Sequence, residues 1–236
     1  LRSADPLHRA RSSQILRAMK IRTVDDLDNR IRQDLTWRRH EMQLFDQMIG
    51  TAGPIAQRSL LRAAVALLYA HWEGFIKSAC HYYLCYLAFL KLDTSELTPA
   101  LAAMSLRKEI RQSLDSQSAK LHVEMVEVFR NSIGRRARLP TTREAIATKS
   151  NLSYPVLENI LISIGLDPSS YEQSRDLINT QLVDSRNRIA HGENDYIRQS
   201  EWRELENETL NIMESIANLL VNSAVQKKYL VTPVAN

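Results

Sequence analysis

The sequence IAQRSLLRAAVALLYAHWEGFIKSACHYYLCYLAFLK, residues 55–91, decides the fold of this chain. On a helix built from these residues, apolar side chains occur around nearly the whole circumference. Pro54 suits the first position of such a helix, and Gly74 is a candidate position for a bend. A helix that is apolar on all sides is buried on all sides. The pattern therefore predicts a central helix that is surrounded by other helices.

Segments before and after this central helix are predicted to form the helices that pack around it. Thr23 followed by two acidic residues is typical of a helix N-cap, and apolar residues at helical spacing follow as far as Ile49. Residues 135–153 are predicted as a loop with a short helix at 142–148. No alternating segment with a hairpin turn indicates a strand, so the predicted fold is all-α, a helical bundle with long antiparallel helices. The further predicted helices span residues 99–116, 119–134, 154–164, 170–190 and 199–227.

The composition is that of a soluble globular protein, with 44% hydrophobic and 25% charged residues. The net charge is +4, but residues 1–18 contribute +3 of it, so overall basicity says little about partners. We interpret residues 1–18 as an N-terminal extension, either native or derived from a tag, and residues 19–236 as a single helical domain. The apolar stretches are too short and too interrupted to span a membrane, and the N-terminal residues lack the apolar region of a signal peptide. We therefore expect a cytoplasmic protein that does not contact membranes.

The cysteines and histidines of the central helix do not indicate a metal site. Cys80 and Cys85 are five residues apart, which suits neither a redox pair nor a zinc site, so we interpret them as structural thiols. His71 and His81 have no third ligand at metal-binding spacing and are interpreted as core or interface residues. We predict no metal and no other cofactor.

The segment DSRNRIAHGE, residues 184–193, combines residues that suit phosphodiester chemistry. Arg186 and His191 have four residues between them, Asn187 follows the arginine, and Gly192 follows the histidine. Positions five apart on an uninterrupted helix point about 140° apart, so the two side chains converge only where the helix ends or distorts. Because Gly192 suits the position after a helix end, we place Arg186 in a last turn and His191 at its end. An arginine that binds phosphate and a histidine that transfers a proton meet the needs of metal-free RNA cleavage.

Two segments taken together resemble a known family. AHWEGFIK at residues 70–77 and RNRIAHGE at residues 186–193 resemble the HEPN superfamily of helical nucleotide-binding domains, and more narrowly its stand-alone prokaryotic MAE-type branch. The segment that begins with MKIRTVDDL at Met19 is similar to the start of that branch. The resemblance implies a metal-independent endoribonuclease that forms a 2′,3′-cyclic phosphate in a cleft between two subunits.

The resemblance also implies a role for each candidate site residue. His191 takes the proton of a ribose 2′-hydroxyl or protonates the leaving 5′-oxygen, and Arg186 stabilises the charge on the phosphorus oxygens. Asn187 orients a neighbour or the scissile phosphate, and Glu73 supports Arg186 or His191 from the central helix. Because one histidine does not easily act as both acid and base, we expect a homodimer whose interface lies beside residues 184–193.

Residues 130–143 carry five arginines and no acidic residue. The planar guanidinium suits phosphate oxygens, so we interpret Arg135, Arg136 and Arg138 as candidate RNA-binding residues. The alternative is a solvated basic loop.

Other assignments also have alternatives. His191 can instead cap free helix carbonyls, and Glu73 can form an ion pair with Lys77. Some HEPN-like domains are not catalytic, so the alternative function is a helical nucleotide- or RNA-binding or protein-interaction module. As an enzyme, we expect a toxin or anti-phage defence effector with RNA as its substrate and an antitoxin or another protein as a further partner.

Overall fold

The described part of the chain contains helices and two isolated β-bridges but no strand, which confirms the all-α prediction. The computed structural model describes residues 21–114, 118–132, 134–149 and 151–231, and the predicted extension over residues 1–18 lies outside these ranges. The α-helices are α1 (Val24–Thr51), α2 (Pro54–Leu90), α3 (Pro99–Ser105), α4 (Arg107–Leu114), α5 (Ala119–Ser132), α6 (Tyr154–Ser163), α7 (Ser185–Ala190) and α8 (Gln199–Val225).

The central helix α2 is buried along most of its length, as predicted. Trp72, Phe75 and Ile76 at its middle are all fully buried. Pro54 stands in the first turn, and the helix ends before Lys91, whose φ of 59° is left-handed. None of the helices in the described ranges is long and apolar enough to span a membrane.

The long helices α1, α2 and α8 pack against one another around the core. Two residues connect α1 to α2, so these helices run antiparallel. Gln57 near the start of α2 donates to Gln199 at the start of α8, at 3.4 Å. Tyr86 near the end of α2 contacts the ring of Tyr229, just after α8. Helix α8 is therefore parallel to α2 and antiparallel to α1.

Two predicted helices are divided in the structure. The segment 99–116 breaks at Leu106, whose backbone angles (φ −105°, ψ 11°) end α3 before α4 begins. The segment 170–190 changes its winding: a 3₁₀ turn at Ser169–Ser174 is followed by a π-helical stretch at Leu177–Asp184 and then by α7. Apolar spacing alone does not distinguish these windings, because each brings residues three to five apart onto one face. The short helix predicted at 142–148 is a single 3₁₀ turn at Arg143–Ala145.

A buried charge lies where α1 contacts α2. The Arg38 side chain is 7% exposed, and its Nε donates to Oδ2 of Asp34 at 3.2 Å. Its Nη1 donates to the carbonyl oxygen of His71 at 3.3 Å. A Cβ atom added at Gly74 would lie 2.9 Å from Nη1. Gly74 therefore makes room for the paired guanidinium, and α2 continues through this position as one helix.

We predict that Phe75→Ala lowers the free energy of unfolding by about 3–5 kcal/mol, because Phe75 is fully buried against the surrounding helices. The matched control is Phe89→Ala on the same helix, where the side chain is 45% exposed. This control should change stability by less than about 1 kcal/mol. Urea unfolding of both variants measures the difference, and equal losses would contradict the central burial of α2.

Candidate functional site

Helix α7 ends in a cap that depends on glycine. Gly192 has a φ of 81°, which glycine adopts without strain. The N–H of Gly192 donates to the carbonyl oxygen of Ile189 at 3.1 Å. The N–H of Glu193 donates to the carbonyl oxygen of Arg188 at 3.0 Å. These two bonds form a Schellman motif, which puts His191 at the C-cap. The predicted helix end at His191 is confirmed.

The side chain of His191 is exposed to solvent. Its backbone N–H, rather than its ring, contributes to the cap by donating to the carbonyl oxygen of Asn187 at 2.9 Å. Within the described residues the imidazole has no hydrogen bond or ion pair. The backbone geometry thus leaves both ring nitrogens accessible to a ligand.

Arg186, in contrast, packs against the body of the protein. The guanidinium carbon lies 4.0 Å from the centre of the Tyr69 ring on α2. Nη1 donates to Oδ1 of Asn187 at 2.8 Å. Stacking on the aromatic ring holds the plane of the guanidinium in one orientation. The contact with Asn187 matches one of the orienting roles that the sequence suggests for that residue.

Tyr69 connects Arg186 to the other motif segment. It is almost fully buried, and its hydroxyl accepts a hydrogen bond from the N–H of Leu152 at 2.8 Å. Burial raises the pKa of Tyr69 to about 12, and the Glu73 carboxylate adds to this rise, while the Leu152 N–H opposes it. The hydroxyl therefore keeps its proton at neutral pH.

Glu73 lies beside this tyrosine. Its carboxylate accepts a hydrogen bond from the hydroxyl of Thr148, and within the described residues it forms no ion pair with Lys77. Both Glu73 and Arg186 act electrostatically on Tyr69, which lies between the two motif segments. The sequence analysis missed Tyr69, although its position four residues before Glu73 puts both side chains on one face of α2.

The segment that follows Thr148 is fixed to α2 by its backbone. While the N–H of Leu152 binds Tyr69, its carbonyl oxygen accepts a hydrogen bond from the indole N–H of Trp72 at 2.9 Å. Both polar backbone groups of this buried residue are thus satisfied by side chains of α2. Trp72, in the first motif segment, therefore helps to fix Leu152 beside Tyr69.

The loop after His191 is held by two other arginines. Nη2 of Arg188 donates to Oδ2 of Asp195 at 3.0 Å. Nη2 of Arg62, on α2, donates to the carbonyl oxygen of Glu193 at 2.7 Å. Arg188 and Arg62 therefore fix the loop that follows the motif.

Arg186 and His191 do not contact each other. The backbone angles of His191 (φ −84°, ψ 5°) remain close to helical values, so the two side chains leave the helix about 140° apart. The guanidinium points toward α2 and the imidazole toward solvent. A single phosphodiester can contact both only if it lies across the end of α7, or if a second copy contributes one of them.

Comparison with protein families identifies the family of this chain. Residues 27–229 match the family model described as HEPN_MAE_28990/-like HEPN. The chain belongs to this HEPN family. The matched region includes Tyr69, Glu73 and the whole 184–193 segment. Neither the curated proteins nor the solved structures contain a significant match.

In the HEPN domain Arg135, one of the predicted RNA-binding arginines, lies away from the motif. The carbonyl oxygen of Arg135 accepts a hydrogen bond from the N–H of Thr94, beyond the end of α2. From Tyr69 to Leu90 the helix extends about 30 Å. A depression of about 990 Å³ beside these arginines is also lined by Glu109, Glu124 and Glu127. Arg135, Arg136 and Arg138 are all exposed, and their role in RNA binding remains a prediction.

The two cysteines and two histidines of α2 lie in surroundings that suit structural roles. Burial raises the pKa of the Cys80 thiol to about 12 and that of Cys85 to about 11, so neither is a thiolate at neutral pH. Nε2 of His81 lies 2.9 Å from the carbonyl oxygen of Thr141. Burial lowers the pKa of His71, which contacts Arg38. In the part of the chain that the structure describes, no cluster of side chains has the composition of a metal site.

We predict that Gly192→Ala destabilises the HEPN domain by about 1–2 kcal/mol, because the left-handed backbone of Gly192 is strained for any residue with a Cβ atom. The matched control is Gly50→Ala in α1, where an added Cβ atom has no neighbour within 4 Å. This helical position should gain up to about 1 kcal/mol from the same substitution. Chemical denaturation distinguishes the two signs, and a loss at both glycines or at neither would contradict the cap.

Proposed function

We propose that this HEPN protein is a metal-independent endoribonuclease whose Arg186 and His191 act on the same phosphodiester. The observation that carries the proposal is the pairing of a fixed arginine with an exposed histidine at a glycine-capped helix end. The arginine is held in place by Tyr69 and Asn187, so little conformational entropy is lost when it binds an anion. The histidine has no partner within the described residues that would compete with the substrate.

The proposed reaction is an internal transesterification of RNA. His191 accepts the proton of the 2′-hydroxyl while that oxygen forms a bond to phosphorus and the bond from phosphorus to the 5′-oxygen breaks. His191 of a second subunit donates a proton to the leaving 5′-oxygen. The products are a 2′,3′-cyclic phosphate and a 5′-hydroxyl, and no oxidant, reductant or water is consumed. Arg186 stabilises the negative charge that develops on the non-bridging oxygens.

The proposed reaction needs one histidine as the base and another as the acid. Because each chain carries one motif histidine, the reaction requires a homodimer. We propose that the interface lies beside residues 184–193, so that two copies of His191 face one cleft. His191 at the end of α7 and Tyr196 in the loop that follows are both exposed. A stable interface there would bury at least about 1,000 Å².

In a cell, such an enzyme would act as a toxin or an anti-phage defence effector, since unrestricted RNA cleavage stops growth. An antitoxin or another protein would then restrain it. Expression of the wild-type chain should arrest growth, and expression of His191→Ala should not. Growth arrest by both would argue for a role that does not depend on cleavage.

One observation favours the alternative, a non-catalytic RNA-binding or protein-interaction module. The stacking of Arg186 on a buried tyrosine also suits a purely structural residue that secures α7 to α2. Such a module would bind a partner without cleaving RNA, and Arg186→Ala would act on stability alone.

We predict that Arg186→Ala lowers kcat/KM for RNA by about 30- to 1,000-fold, which corresponds to the loss of about 2–4 kcal/mol of transition-state stabilisation. His191→Ala should lower it at least as much while changing the free energy of unfolding by less than about 1 kcal/mol, because the side chain is exposed. Cleavage is measured in EDTA, with His40→Ala, another exposed histidine, as the control. Equal cleavage by His191→Ala and wild type would remove the catalytic assignment.

We also predict that inactive subunits suppress active ones. When wild-type protein exchanges subunits with a ninefold excess of His191→Ala, random pairing leaves about one wild-type chain in ten with a wild-type partner. If each cleft needs both histidines, the activity per wild-type chain falls by about tenfold. Activity that is independent of the excess, together with a monomeric mass in sedimentation, would contradict the shared cleft.

A further inference from the structure

An exposed aromatic ring lies in the loop that follows the motif. Tyr196 is 60% exposed, and the guanidinium carbon of Arg58 lies 5.2 Å from the centre of its ring. Because Arg58 lies over one face of the ring, most of the exposed area belongs to the opposite face and the edge. Tyr196 therefore presents a flat, largely apolar surface to solvent.

The residues on both sides of Tyr196 hold the ring in this outward position. The carboxylate of Asp195 accepts a hydrogen bond from Arg188 at 3.0 Å. Ile197 packs against the hydrophobic core. With both neighbours anchored and Arg58 against its ring, Tyr196 loses little conformational freedom when a ligand covers its open face.

Contacts with α2 relate Tyr196 to the motif. Arg58, Arg62 and Tyr69 are four and seven residues apart, a spacing that puts them on one face of the helix. Their partners are successive parts of one segment: the ring of Tyr196, the backbone of Glu193 and the motif arginine. The segment from the motif to Tyr196 therefore runs along this face toward the start of α2.

The distance between Tyr196 and the motif follows from the rise of α2. Tyr69, which contacts Arg186, is eleven residues after Arg58, which corresponds to about 16 Å. Successive phosphates of a stacked strand advance by about 3.4 Å, so about five stacked nucleotides cover this distance, and fewer cover it in an extended strand. An RNA strand whose phosphodiester lies at the motif can thus reach Tyr196 within a few nucleotides.

A similar contact at the other end of α2 provides a comparison. The guanidinium carbon of Arg22 lies 5.6 Å from the centre of the Phe89 ring, and Phe89 is 45% exposed. Phe89 is 20 residues after Tyr69, or about 30 Å along the helix, and it lies on the side away from Tyr196. An arginine over an exposed ring is therefore not sufficient to indicate a site, and the distinguishing feature of Tyr196 is its place beside the motif.

We propose that the open face of Tyr196 stacks against a nucleobase of single-stranded RNA, within about five nucleotides of the phosphodiester at Arg186. This inference rests on the proposed ribonuclease function and extends it to the substrate, an unpaired strand. Bases inside a duplex are covered by their neighbours and do not reach such a ring. Because every base has an aromatic face, the contact selects single strands without selecting a sequence.

The test measures RNA affinity in a background that does not cleave. A fluorescent single-stranded RNA of about 12 nucleotides is titrated by anisotropy with His191→Ala protein in EDTA. Adding Tyr196→Ala should weaken binding by about 5- to 150-fold, the loss expected for one stacked base. Tyr196→Phe keeps the ring and should stay within about twofold of the parent. The matched control Phe89→Ala, which also removes an exposed ring beside an arginine, should leave the affinity unchanged.

A second RNA tests whether the ring contacts a base. It has the same length, but every ribose lacks its base, and binding is measured at low salt. Tyr196→Ala should now change the affinity by less than about twofold, because the stacking partner is absent. Equal losses with both RNAs would contradict a base contact, and an equal loss in Tyr196→Phe would assign the effect to the hydroxyl.

The other role open to an exposed tyrosine near the motif is contact with a second copy of the chain. Sedimentation of the same variants distinguishes it. If Tyr196→Ala is monomeric while Tyr196→Phe is dimeric, the ring belongs to the subunit interface and the stacking proposal is wrong. Unchanged affinity in Tyr196→Ala, or no RNA binding by the His191→Ala protein, would also overturn the proposal.

Failure of this inference can be told apart from failure of the proposed function. If the wild-type protein cleaves RNA but Tyr196→Ala has equal effects on the two RNAs, the stacking contact fails and the ribonuclease proposal stands. If the wild-type protein cleaves no RNA but Tyr196→Ala weakens binding only to the RNA that carries bases, the ribonuclease proposal fails and Tyr196 remains an RNA-binding residue.

Discussion

The burial of α2 on all sides is the constraint on which the rest of the structure depends. A helix of 37 residues with an apolar circumference needs cover in every direction. Two long helices, α1 and α8, cover part of it. The π-helical stretch with α7, and the segment around Leu152, lie against the remaining surface. The same requirement that stabilises the core thus brings the second motif segment against the first.

Where α7 meets α2, one tyrosine joins the packing of the core to the chemistry of the site. Tyr69 is buried, its ring supports Arg186, and its hydroxyl binds the backbone of Leu152. A cation that lies over an aromatic ring is stabilised by about 0.5–2 kcal/mol. The arginine is therefore positioned before any ligand binds, while the histidine at the end of α7 stays exposed to solvent. This difference between a fixed cation and an accessible proton carrier suits phosphodiester chemistry.

Much of this arrangement could be predicted from the sequence, because the decisive signals are local. Three local features appear in the structure as expected: the apolar circumference of α2, the N-cap at Thr23 and the helix end at Gly192. Each depends only on residues that are close together in the sequence. The position of His191 at a helix end was predicted correctly for the same reason. Its proposed function goes beyond what local geometry establishes.

The features that the sequence did not reveal depend on contacts between distant segments. Arg38 has the pattern of an ordinary surface arginine, and only the approach of Gly74 on another helix explains its burial. Tyr69 has the pattern of a core residue, and only the packing of α7 against α2 brings it to Arg186.

The central claim is that the two motif residues promote attack by a ribose 2′-hydroxyl, and the chemistry of the product ends tests it most directly. The measurement is mass spectrometry of a short RNA after incubation with the wild-type protein in EDTA. It is repeated with the same RNA carrying a single 2′-deoxy nucleotide at the cleaved position. We expect 2′,3′-cyclic phosphate and 5′-hydroxyl ends from the first RNA and no cleavage at that position in the second. Ends with a 3′-hydroxyl and a 5′-phosphate, or cleavage at the deoxy position, would contradict the account.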